Sequence, residues 1–154
     1  MVKIILGIII VILVGYIGYG IEKFYKTRLN IIEEYKRFVA YSERETTFLK
    51  TNIHELIKHF EFTNQELIRI INSSLNNEQI KDCIYITDNF KQAVNTFINE
   101  ISKCDFSSIK SVFNKANQEC DEIIIKAQKD KVQKGELARK IVILAGIGLI
   151  IVII

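Results

Sequence analysis

The feature that most constrains this chain is a pair of charge-free apolar runs, one at each end. From Ile4 to Ile21, and again from Ile141 to Ile154, no residue carries a charge, whereas charged side chains recur throughout Glu22 to Lys140. The first run has about the 18 to 20 residues a helix needs to cross a hydrocarbon core. A secretory signal would also open with a residue like Lys3 before an apolar stretch, but its core would be shorter and would end at a small-x-small cleavage site. Gly18 and Gly20 make a poor version of that site. Lys23, Lys26 and Arg28 follow at once, which predicts a retained anchor with its C-terminal flank in the cytoplasm.

The second run is shorter. Leu137 and Ala138 extend its apolar face, while Arg139 and Lys140 can snorkel toward the headgroups. A short terminal span is expected, the alternative being a helix that enters only the near leaflet. Its basic flank of Lys129, Lys131, Lys134, Arg139 and Lys140 points to the same cytoplasmic side as the first run. The expected organisation is therefore an N-terminal transmembrane helix over residues 1–21, a cytoplasmic helical bundle domain over 22–136 and a C-terminal transmembrane helix over 137–154. Such a chain is a multi-pass protein of the cell membrane with both termini outward.

The segment between the runs reads as all-α. The chain has no proline, and Gly135 is the one glycine among residues 22–136. Apolar residues recur there at helical spacing. Leu29, Ile32, Tyr35, Phe38 and Val39 continue the first run in three- and four-residue steps, so one helix should carry both the membrane segment and the start of the domain. Asn52 with Glu55, and Thr63 with Glu66, have capping-box spacing and predict two short helices, the second ending in the polar stretch 72–77. A further helix is expected from about Glu78 to Ile101, with Ile80, Ile84, Phe90, Val94, Phe97 and Ile98 inward. The last helix should open near Asp105 and run through Ile109, Phe113, Ala116 and Ala127 into the second membrane segment. With termini adjacent at the membrane, these elements make an antiparallel helical bundle.

Chemistry-bearing motifs are sparse. The net charge of +3 comes from lysines mixed with nearly as many carboxylates, which gives nucleic-acid binding no basic stripe to work with. Cys83, Cys104 and Cys120 are an odd number at wide spacing and read as reduced, small core residues. His54 and His59 resemble a zinc-protease pair, but they lie five residues apart and diverge by roughly 140° on a helix, so they read as a solvated face. No histidine is placed to activate Cys104 as a nucleophile. The charges around Glu33, Glu34, Lys36 and Arg37, and around Glu43, Arg44 and Glu45, read as solvated faces too. No catalytic residue, metal or cofactor is assigned, and the chain is expected not to be an enzyme. Gly15, Gly18, Gly146 and Gly148 lie inside apolar runs and read as close helix packing, between the two spans or against a partner.

Four patches carry a resemblance to the stage III sporulation protein AB family of endospore-forming bacteria, which covers the chain in outline from end to end. Gly-Tyr-Ile-Gly at 15–18, leading to Arg28, is similar to the family's glycine-bearing membrane helix and the arginine-led helix after it. The run from Glu45 through Phe48, Thr51 and Ile53 to Leu56 resembles a second family stretch, with Asn52 where proline is usual. Asp105 is similar to the aspartate that opens the last long helix, though Ile109 stands where glutamine is typical. The closing patch runs from Lys134-Gly135 through Leu137, Arg139 and Lys140 to Gly146, with Val142 in place of a glycine. These departures describe a divergent member.

The resemblance implies a non-enzymatic part of the secretion-like channel complex between mother cell and forespore, placed in the mother-cell membrane. It also implies a cytoplasmic domain like the helical domain of the type II secretion platform protein F, acting as adaptor between a cytoplasmic secretion-type ATPase and the membrane. Partners would be that ATPase, other membrane proteins of the complex, the lipid bilayer and a second copy of the chain. Glu45 and Asp105 are the interface candidates, against a reading as caps or surface ion pairs. The rival functions are a generic membrane-anchored coiled-coil scaffold, which would be an extended rod, and a thiol- or metal-dependent hydrolase, which would need Cys104, His54 or His59 to converge.

Overall fold

The computed structural model describes residues 2–49, 51–80, 82–105 and 108–153. Ile154, where the expected C-terminal span ends, and the Lys3 side chain lie outside the described residues. The described chain is all-helical and has no strand: α1 (Val2–Leu49), α2 (Ile53–His59), α3 (Gln65–Leu75), α4 (Asp88–Lys103), α5 (Ile109–Asp130), a π-helical stretch (Lys131–Glu136) and α6 (Leu137–Ile153). As expected, α1 is a single helix from the apolar run into the charged segment. It divides between two compact units, one of residues 1–29 with 126–154 and one of residues 30–125.

The second unit is a packed core. Its part of α1 buries Ile31, Ile32, Tyr35, Phe38 and Val39 at three- and four-residue spacing, so one stripe of the helix faces inward. The Tyr35 ring stands edge-on to Phe90 of α4 at 5.3 Å and to Phe97 at 6.2 Å. Phe38 meets Phe60 at 5.3 Å and Phe62 at 5.2 Å, and Phe97 meets Phe113 of α5 at 5.8 Å. Burying an aromatic or branched aliphatic side chain of this kind stabilises by about 1.5–3 kcal/mol, so this cluster defines the unit. Lys36 pairs with Asp121, and Glu43 accepts from Asn117 Nδ2 at 3.1 Å. Partners thus fall along α5 as positions rise along α1.

Local chemistry sets where the helices begin and end. Asn52 caps α2 by accepting from the His54 N–H at 2.7 Å. The cap of α3 is Asn64 rather than Thr63: its side chain accepts from the Glu66 N–H at 3.1 Å, while the Thr63 N–H donates to Glu34. α3 stops in a Schellman arrangement. The Glu78 N–H reaches Ser73 O at 2.8 Å, the Asn77 N–H reaches Ser74 O at 3.3 Å, and Asn77 takes φ 55°, which asparagine tolerates better than most residues.

That stop changes the expected helix from 78 to 101. The described chain after Asn77 is irregular up to Thr87, the cap of α4. Ile84, expected inward, is 76% exposed, and the buried face of the helix starts with Phe90. Likewise α5 starts at Ile109, after a turn in which the Asp105 carbonyl accepts from the Ser108 N–H at 3.0 Å. Glu34 also departs from expectation. Instead of facing water it is 3% exposed, its carboxylate accepting the Thr63 N–H and, at 3.3 Å, the Asn64 N–H.

The first unit has a different character. Ile8, Val11, Ile12, Tyr16 and Ile17 of α1 and Leu144, Ile147 and Leu149 of α6 are about half exposed or more. Only 11% of the most apolar 18-residue window of α1 is buried, where a core helix would be mostly covered. Among the described residues α1 is the one helix long and apolar enough to cross a membrane by length and composition. α6, at 17 residues, rises about 25 Å against a hydrocarbon core of about 30 Å.

Candidate functional site

The glycines singled out from the sequence divide in two. A Cβ on Gly146 would lie 2.9 Å from both γ-carbons of Val14, and one on Gly18 would lie 3.4 Å from Arg139 Cγ. These two positions are where α6 and α1 approach closely, as small residues permit. Gly15 and Gly148 meet nothing within 4 Å of an added Cβ, so they present open helix surface rather than a contact within the chain. Gly135 makes a third close approach, which sequence reasoning did not assign: its Cβ would stand 3.2 Å from the Tyr25 ring. It lies in the π-helical stretch, where the backbone ladder widens by one residue and glycine's low helix propensity eases the departure.

Ion pairs join the same segments. Arg28 Nη1 lies 3.7 Å from Asp130 Oδ2, with both side chains largely buried, and Lys134 Nζ reaches the other Asp130 oxygen at 2.8 Å. Arg139 donates to Glu22. Truncating either partner of a buried pair leaves a charge uncompensated, which is why such pairs fix register even where their net stabilisation is small. A sequence signal for them existed in the carboxylates Glu22 and Asp130 lying among the basic flanks of the two apolar runs, but spacing alone did not pair them.

Beside these contacts lies a groove of about 430 Å³, lined by Gly15, Gly18, Tyr19, Glu22, Lys23, Lys26, Arg139 and Ile143. One end is glycine and aliphatic; the other carries three cations against one carboxylate.

Of the remaining candidates, Cys104 and Asp105 are neighbours, the Cys104 sulfur lying 3.2 Å from the Asp105 carbonyl oxygen. Glu45 is partly buried and takes Arg44 Nη2 at 3.3 Å, its immediate neighbour on α1. Asp105 is exposed in the turn before α5. His54 and His59 are exposed on α2, whereas Cys104 is half-buried with its sulfur 3.0 Å from Ser108 Oγ. Among the described residues no three His, Cys, Asp or Glu side chains are grouped as a metal ion would need. Cys120 is buried, and burial, aided by Asp121 and Glu119 against the pull of Lys36, pushes its thiol up to about 12. Cys83, half-buried, is raised as well, mainly by burial. On the surface, the hydrogen bond that Lys91 donates holds the Asp82 carboxyl below its ordinary value, and the one that Lys36 donates to Asp121 raises Lys36.

The family model for stage III sporulation protein AB matches residues 3–154. The chain belongs to this family. No curated protein and no solved structure matches it. The family match covers both units and every candidate above, so the close approaches at Gly18, Gly135 and Gly146 lie within the matched sequence of a stage III sporulation protein AB.

Proposed function

We propose that this stage III sporulation protein AB is a non-enzymatic membrane component of a sporulation secretion-like channel complex between mother cell and forespore. Its helical domain acts as adaptor between a cytoplasmic ATPase and the mother-cell membrane. In this reading α1 and α6 both cross the bilayer, and residues 22–136 form an antiparallel bundle on the cytoplasmic side. The observation that carries it is α1 itself, which bears an uncovered apolar span and then the inward stripe of a packed domain in one helix, Val2–Leu49. In this reading the continuous helix is the route by which work done on the domain by an ATPase would be passed to the membrane segment. The aromatic cluster of residues 30–125 favours a bundle over a coiled-coil rod, whose seam would be narrower and lined at a and d positions.

The test is a pull-down of the full chain from the membranes of sporulating cells, probed for the cytoplasmic ATPase of the same complex. Enrichment that is lost when residues 30–125 are deleted, while the deleted form stays in the membrane fraction, supports the adaptor. Recovery of the chain with itself alone overturns it in favour of the generic coiled-coil scaffold.

A further inference from the structure

We propose that the groove beside Gly15 and Gly18 binds the phosphodiester headgroup of an anionic phospholipid of the cytoplasmic leaflet, with the lipid's chains lying along the glycine face. This rests on the membrane reading above.

The groove is built as such a ligand requires. Its apolar end is formed by Gly15 and Ile143, with Gly18 against the Arg139 stem, and the absence of a side chain at Gly15 leaves open space where a larger residue would fill it. Its polar end carries Lys23, Lys26 and Arg139. Glu22 is already engaged with Arg139, so Lys23 and Lys26, both exposed, supply the uncompensated positive charge. Tyr19, 63% exposed, stands between the two ends, where an amphipathic ring suits the boundary of headgroup and hydrocarbon. From Gly15 to Lys26 the helix rises about 16 Å, the depth of one leaflet of a core about 30 Å thick. A free phosphate would use only the lysine end; the glycine and isoleucine end has a purpose only for a molecule with chains. Basic pockets next to membrane helices on the cytoplasmic side select anionic lipids on the same electrostatic grounds.

The full chain is reconstituted in phosphatidylcholine vesicles, and its association with spin-labelled phosphatidylglycerol is compared with that of spin-labelled phosphatidylcholine. The expected result is a preference for phosphatidylglycerol of about fivefold that falls toward one in Lys23→Gln/Lys26→Gln. It should persist in Lys129→Gln/Lys140→Gln, which removes the same charge from residues that do not line the groove. Gly15→Leu, with all charges kept, should also reduce it. Equal preference for the two lipids, or equal loss in both double variants, overturns the site. Displacement of the labelled lipid by inorganic phosphate overturns its assignment to a lipid. If the wild-type chain washes off neutral vesicles in alkaline carbonate, the membrane reading fails and this proposal with it. A chain that stays in the bilayer without preference fails the groove alone.

Discussion

The two units of this chain close in opposite ways. Residues 30–125 hide their large side chains, with Tyr35, Phe38, Phe90 and Phe113 each at most 1% exposed, and bring rings to within 5–6 Å of one another. Residues 1–29 with 126–154 leave most of their described isoleucines and leucines uncovered and instead let glycines approach the facing helix closely, Gly146 against Val14 and Gly18 against Arg139. On the membrane reading proposed above, the contrast follows from the solvent each unit would meet. In water, apolar burial drives closure; in lipid it offers nothing, and small residues, ion pairs and dispersion do the work. If that account is right, the same kind of substitution should have different consequences in the two units.

The largest effect belongs to the aromatic cluster. Phe38 is 0% exposed and touches two rings, so Phe38→Ala should destabilise residues 30–125 by about 3–5 kcal/mol, read as loss of helical signal in a denaturant titration of the full chain in micelles. A cost near that of a surface change would mean that the cluster is not the source of stability.

Cys120 gives a second probe of the same dry interior. With its thiol pushed up to about 12 from an ordinary 9.0, it should stay protonated at pH 9 and alkylate at least roughly a hundredfold more slowly than in unfolded chain. The folded state then holds the proton that the unfolded state releases. Stability from this group is therefore full below pH 9 and declines as pH rises from about 9 through about 12. Alkylation of Cys120 at the unfolded rate in the native protein would show that water reaches it.

In the other unit the sensitive position is a glycine. Gly146→Leu places a Cβ 2.9 Å from Val14 and more atoms beyond it, so α1 and α6 must separate, at about 1–3 kcal/mol by analogy with overpacked cores. The same change at Gly148, which meets nothing within 4 Å, should be neutral within the chain. A melting comparison of the two variants in micelles tests the division, and equal losses would remove it.

How much of this was legible from the residues differs between the units too. The inward stripe of α1 and the apolar residues of α4 from Phe90 onward follow from helical spacing, because burial in water writes a period into the sequence. The end of α3 at Leu75 was announced by the polar run around it. The start of α4 was not, since Ile80 and Ile84 continue the apolar spacing across a segment that the Schellman stop has already bent away. Glu34 was misread because its type suggested water, although its place three residues after Ile31 and four before Phe38 puts it on the inward face. In the apolar runs spacing is silent, as every face is hydrophobic. Of the six glycines there, nothing in the sequence tells Gly18 and Gly146, which make contacts, from Gly7, Gly15, Gly20 and Gly148, which do not.

The smallest expected effect is the most discriminating for that silent surface. Ile12 is 65% exposed on the apolar run, so Ile12→Ala removes a side chain that meets only solvent or lipid within the chain. It should change stability by less than about 0.5 kcal/mol in micelles. Ile31→Ala, on the same helix but fully buried, should cost several times more, which makes α1 its own control. A loss above about 1 kcal/mol at Ile12 that grows with protein concentration would mean that this face packs against a second chain. The open surface at Gly15, three residues along the same helix, would then be part of that contact, and its role in admitting a lipid would have to be separated from its role in admitting a neighbour.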